Sequence, residues 1–137
     1  VLHMRRTMAV SVVQIAAGRA RAEDIERLEG LLERQRRNEG DLLPTLLTDL
    51  KIYEALVAAT DSTMSSLLFV TLDRITRACI ELVPALLYVH PDYLEAMEEV
   101  IAGLRDGDAD GAARALSALL EKTDGELLSR LEAFPSA

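Results

Sequence analysis

MRRTMAVSVVQIAAGRARAEDIERLEGLLER, residues 4–34, sets the fold class. Its first half is mostly Ala, Val, Ile and Met, and predicts a largely apolar, central helix over residues 2–20. Its second half carries Ile25, Leu28, Leu31 and Leu32 at three- and four-residue steps with charges between them. That spacing is one apolar stripe of an amphipathic helix, predicted over residues 23–37.

The same period runs outward along the chain. NEGD, residues 38–41, reads as a loop with Asp41 as N-cap of a third helix over 42–59. TDST, residues 60–63, is a turn with a cap at Asp61 or Ser62. Residues 64–89 read as one long helix, kinked at Pro84. His90-Pro91-Asp92 is a break and restart, with Pro91 suited to the first helical position of a helix running to residue 105. Asp108 caps a last helix over 110–133, loosened near Thr123-Asp124-Gly125. The expectation is all-α: an antiparallel bundle of about six helices, mostly sequential neighbours, forming a single domain over 1–137.

Composition narrows the setting. The chain of 137 residues is 50% hydrophobic but only 4% aromatic, and it lacks Trp. Leu and Ala dominate, which is helix chemistry. No stretch has the roughly 20 uncharged apolar residues that a membrane span needs, so no membrane partner is expected. No signal-peptide cleavage pattern follows the first apolar run. A lone cysteine, Cys79, forms no internal disulfide and fits a cytoplasmic setting. With 23 acidic and 15 basic residues the net charge is −8, which argues against direct grip on a phosphate backbone.

Enzyme signatures are missing. There is no phosphate-binding loop, dinucleotide fingerprint, nucleophile elbow or H-E-x-x-H. The two histidines, His3 and His90, have no Glu three residues before them, as a di-metal bundle site requires. No catalytic residue and no cofactor are expected.

The order of signals resembles a known family, the C-terminal effector (FCD-type) domain of FadR-subfamily GntR regulators. Arg5, Ile15-Ala16-Ala17 and Leu28-Glu29 stand where that domain opens with Arg, Leu-Ala-Ala and Leu-Glu. Asp49-Leu50-Lys51-Ile52-Tyr53 stands at its Asp-x-x-Phe-His signature. VIAGLRDGDADGAARALSALL, residues 100–120, matches its helix, Gly-Asp and Ala-rich helix. The resemblance implies an all-helical, FadR C-terminal-domain-like bundle that binds a small effector, forms a homodimer, and reaches DNA through an N-terminal winged helix domain not in this sequence.

Asp49 is the sharpest feature of the chain. On a helical wheel it falls beside Leu42, Leu46 and Leu56, and a carboxylate there needs a partner. Many members of the family hold a divalent metal with one Asp and three His. Carried over, those positions are Asp49, Tyr53, Met97 and Leu119, and the last three supply no imidazole. No metal is therefore expected. Either the four residues are closed core, or they line a drier pocket for a partly apolar effector. Asp49 then accepts a hydrogen bond from Tyr53, pairs with Arg5, or meets a donor on the effector. Arg5 shares an arc with Ala9, Val12 and Ala16 and seeks an anion, unless it snorkels to water at a frayed chain start. Candidate effector-binding residues are thus Arg5, Asp49, Tyr53, Met97 and Leu119. Arg74 and Arg77 read as a solvated or dimer-facing pair, and His90 as a helix-start residue.

Three readings compete. The first is the ligand-sensing and dimerisation domain of a FadR-type regulator. The second is the regulatory domain of another all-helical repressor family, TetR-like. The third is a structural dimerisation module without a pocket.

Overall fold

The computed structural model describes residues 2–83 and 87–133. They form six helices: α1 Leu2–Arg19, α2 Ala22–Arg37, α3 Leu42–Ala59, α4 Thr63–Leu82, α5 Tyr93–Asp106 and α6 Ala109–Glu132. No strand occurs among the described residues. None of these helices is long and apolar enough to cross a membrane.

The apolar stripes do what their spacing predicts. Leu28 and Leu32 of α2, Ile52 and Leu56 of α3, and Val100, Ile101 and Leu104 of α5 meet Leu116 and Leu120 of α6 in one buried cluster. Burying a side chain of this size stabilises by roughly 1.5–3 kcal/mol. α1 contributes only small residues in full burial, Ala9, Val13 and Ala16, while Met4 and Ile15 face out. It is central by position, packing on α3, α5 and α6, but it presents only one face to the core. Neighbours are therefore not mainly sequential: α1 sits against α6, and α2 sits against both α3 and α5.

The turn between α5 and α6 explains its sequence. Gly107 takes φ 71°, the left-handed conformation that ends a helix without a Cβ clash. The Asp108 amide then donates to Gly103 O at 2.8 Å, and the Asp108 carboxylate accepts from the Gly111 amide at 2.9 Å. One residue closes α5 and caps α6, as expected of Asp108. Gly103 lets the two helices close up, because a Cβ there would lie 2.8 Å from the Ala112 Cβ. Gly103 and Ala112 are each four residues from this turn, so the pair folds back as an antiparallel hairpin.

Several boundaries differ from expectation. The helix predicted over 64–89 ends at Leu82, and Leu87–His90 is not helical. Val83 has φ −133° and ψ 78°, outside the helical region that a residue preceding proline avoids. The kink expected at Pro84 lies outside the described residues. Pro91 sits in the turn before α5, with Asp92 as N-cap, rather than at the first helical position. α6 runs unbroken through Thr123-Asp124-Gly125, where the Thr123 hydroxyl donates to the Leu119 carbonyl and Asp124 is held by an ion pair. Ser62 rather than Asp61 caps α4, accepting from the Ser65 amide. Asp41 stands at the N-cap of α3 without a side-chain cap bond.

α4 stands apart. It packs on α3, and none of its residues is buried. Met64, Leu68, Ile75 and Leu82 share one face, and all four are exposed. Arg77 pairs with Asp73 on the polar side, while Cys79 is exposed.

Candidate functional site

The site is built from four helices. α3 places Asp49 and Tyr53 one turn apart on the same face. α5 places Tyr93 and Met97 likewise, α6 brings Leu119 and Asp124, and α1 brings Arg5. Met97 is wholly buried and Leu119 is 5% exposed, both within the main cluster, and Tyr53 packs against that cluster.

Asp49 finds its partner on a helix the sequence did not suggest. The Tyr93 hydroxyl donates to Asp49 Oδ1 at 2.5 Å. Tyr53, expected to do this, does not hydrogen-bond Asp49. The Tyr93 oxygen in turn accepts from Gln35 Nε2 at 3.0 Å, and Gln35 also donates to the Thr45 carbonyl at 2.9 Å. Asn38 Nδ2 reaches Gln35 Oε1 and Thr48 Oγ1. The result is a polar chain from the α2–α3 corner to Asp49. A buried network of this kind is stabilising when every member is satisfied.

Arg5 takes a different anion from Asp49. Its Nη2 donates to Asp124 Oδ1 at 2.5 Å. The Asp124 side chain is 8% exposed and that of Arg5 31%, so the pair sits at the edge of the interior. The Arg5 charge still reaches Asp49 and Tyr53. Arg5 Nε is buried and has no hydrogen-bond partner among the described residues.

Burial pushes the Asp49 carboxyl up to about 6, against the opposing pull of the Tyr93 hydrogen bond and the Arg5 charge. The Tyr93 phenol is held well above its ordinary value by burial and by the Asp49 charge. Burial raises the Tyr53 phenol too, with Asp49 adding to it. Both tyrosines are therefore neutral donors at physiological pH.

The donor set does not suit a divalent metal. Of the four positions that the resemblance assigns to a metal shell, one is a carboxylate already bonded to Tyr93, one a phenol, one a thioether and one an alkyl chain. Thioethers are soft, weak ligands and Leu is none. Among the described residues no group of three or more His, Cys, Asp or Glu is placed to hold a metal ion.

Asp49, Tyr53, Met97 and Leu119 line neither of two surface depressions. One, of about 280 Å³, lies between the α2–α3 corner and residues 89–94, with Tyr93 and Gln35 among its lining. The other lies between the ends of α1 and α3, lined by Arg19, Arg21, Glu23, Asp24 and Asp61 together with Ala58 and Ala59. His90 Nδ1 accepts from the Asp92 amide at 3.0 Å, in keeping with a helix-start role.

Tyr93, Gln35 and Asp124 were not among the expected site residues. A phenol one turn before Met97 on the same buried arc was the available signal for Tyr93. Asp124 signalled itself only as a carboxylate on the Leu116–Leu127 side of α6.

Fold and site together define an all-helical domain with a small polar centre set in an aliphatic core. The FCD domain family matches residues 1–122, and the chain belongs to it: it is the C-terminal domain type of FadR-type GntR regulators. FCD domains are regulatory domains of transcription factors, not an enzyme family. No curated protein sequence matches the chain. Asp124 lies beyond the matched segment, so the Arg5–Asp124 pair joins a family position to one outside it.

Proposed function

We propose that this chain is the ligand-sensing and dimerisation domain of a GntR/FadR-type transcription regulator, taking a small, partly apolar organic effector at a metal-free centre. The observation that carries the reading is the state of Asp49. It is a carboxylate held by Tyr93, at the position the resemblance assigns to the metal-binding Asp, with Tyr53, Met97 and Leu119 at the positions it assigns to the three His. The polar end of the effector lies near Asp49 and accepts from Arg5 Nε, a buried donor without a partner among the described residues. The apolar part lies against Met97 and Leu119. These two are packed without ligand, so binding displaces α5 and α6 relative to α3. An effector that binds the displaced arrangement better shifts the population toward it. The shift passes to DNA, in the cytoplasm, through an N-terminal DNA-binding domain and the dimer. The exposed apolar face of α4 supports dimerisation, since such a stripe is covered in a stable soluble protein.

The close packing of Met97 and Leu119 favours a second reading, a dimerisation module with a closed core. Asp49→Asn separates the two. Under the first reading it keeps the fold and changes the affinity of whatever organic molecule co-purifies. A change in stability alone, with ligand binding untouched, supports the second.

A further inference from the structure

The 280 Å³ groove beside Tyr93 has a chemistry of its own. Its volume falls just below the roughly 300–1,000 Å³ typical of small-molecule sites. Leu42, Val89, Pro91 and Leu94 give it apolar walls. Its deeper polar side chains are already committed. Gln35 spends its amide on the Thr45 carbonyl and Tyr93, Tyr93 donates to Asp49, and the Thr45 hydroxyl bonds the Asp41 and Asn38 carbonyls. Because His90 Nδ1 accepts from the Asp92 amide, the neutral ring carries its proton on Nε2, the one uncommitted donor among these side chains.

The charges at the rim are all of one sign. Glu39 and Asp41 line the groove, no Lys or Arg does, and neither carboxylate is in an ion pair among the described residues. An anion would meet two carboxylates and a single donor. A neutral polar molecule would find most partners taken. An ammonium group on a compact apolar body meets two free acceptors at the rim and an apolar wall below. We propose that this groove binds a small organic ammonium, with Glu39 and Asp41 at the charge and Leu42, Val89 and Leu94 around the body. The site is separate from the centre around Asp49, though Tyr93 borders both, and it stands whether or not an effector binds inside the bundle.

The test uses phenethylammonium as probe, with phenethyl alcohol and hydrocinnamate as its neutral and anionic counterparts, by calorimetry and by amide chemical shifts. The expected result is saturable binding of the ammonium, weaker at high salt, with shifts centred on residues 39–45 and 89–94. The alcohol and the carboxylate bind at least tenfold more weakly. Glu39→Gln with Asp41→Asn weakens the ammonium about tenfold, the scale of two exposed ion pairs together. Asn is as good an N-cap as Asp, so α3 is kept, and circular dichroism checks this. No saturable binding at millimolar ammonium, or equal binding of the carboxylate, overturns the proposal on the unaltered protein alone. Shifts centred on Asp49, Met97 and Leu119 also overturn it, while favouring the interior effector site.

Discussion

Tyr93 and Asp49 join α5 to α3 through a 2.5 Å hydrogen bond, with Gln35 of α2 bonded to the same phenol oxygen. Three helices therefore meet at one hydroxyl. Most of what can be tested in this domain depends on that junction.

The pH dependence of stability follows from Asp49. Its carboxyl is raised from 3.8 to about 6 in the folded protein, so the folded state holds the proton more tightly than the unfolded chain. The contribution is fully present below about pH 4 and is lost as pH rises through about 6. Asp49→Asn removes this dependence while keeping an oxygen to accept from Tyr93. Urea denaturation of both proteins across that window should show the variant gaining on the wild type by about 3 kcal/mol as pH rises. Parallel curves would show that Asp49 is solvated and unshifted.

Tyr93→Phe deletes the donor to Asp49 and the acceptor for Gln35. The expected loss is about 1–3 kcal/mol near neutral pH, the range for a buried polar group left unpaired. Combined with Asp49→Ala, which removes the acceptor, the two changes should not add, because each breaks the same bond. Additivity in a double-mutant cycle would place the two residues in separate roles.

Gly103→Ala tests the close approach of α5 and α6. The new Cβ would stand 2.8 Å from the Ala112 Cβ, with the Ala112 backbone nitrogen at 3.0 Å. Overpacking of this kind costs about 1–3 kcal/mol, more than the helix-propensity gain of Gly to Ala returns. The melting temperature should fall, and Ala112→Gly in the same chain should recover part of it. A rise in melting temperature for the single variant would mean the hairpin is looser than described.

Leu68→Glu with Ile75→Glu places charge on the exposed face of α4, where neither side chain is buried in the protomer. The fold should survive, and sedimentation at tens of micromolar, an order-of-magnitude concentration for ordinary interfaces, should change from dimer to monomer. A dimer that persists would put the interface elsewhere.

The helices were legible because their apolar residues keep a 3.6-residue period. Leu28 and Leu32, Ile52 and Leu56, and Val100 and Leu104 all fall where that period puts them. The Asp108 cap was legible from chemistry, while the left-handed Gly107 that ends α5 came from the structure. The end of α4 was misjudged because the residue before Pro84, and not the proline alone, leaves the helix. The site was only partly legible. The apolar arc showed that Asp49 needs a partner, but which helix supplies it depends on how α5 lies on α3, and a one-dimensional period does not encode that. Arg5 was expected to seek an anion and does, but it takes Asp124 from the far half of α6, a pairing 119 positions away in sequence.

The central claim is that the centre around Asp49 takes an organic effector without a metal. Native mass spectrometry of the protein purified without chelator, with elemental analysis of the same sample, tests it most directly. The account predicts a co-purified organic molecule whose occupancy changes in Asp49→Asn, and no stoichiometric zinc, nickel or manganese. A full equivalent of a transition metal, or an organic ligand whose occupancy ignores Asp49, would contradict it.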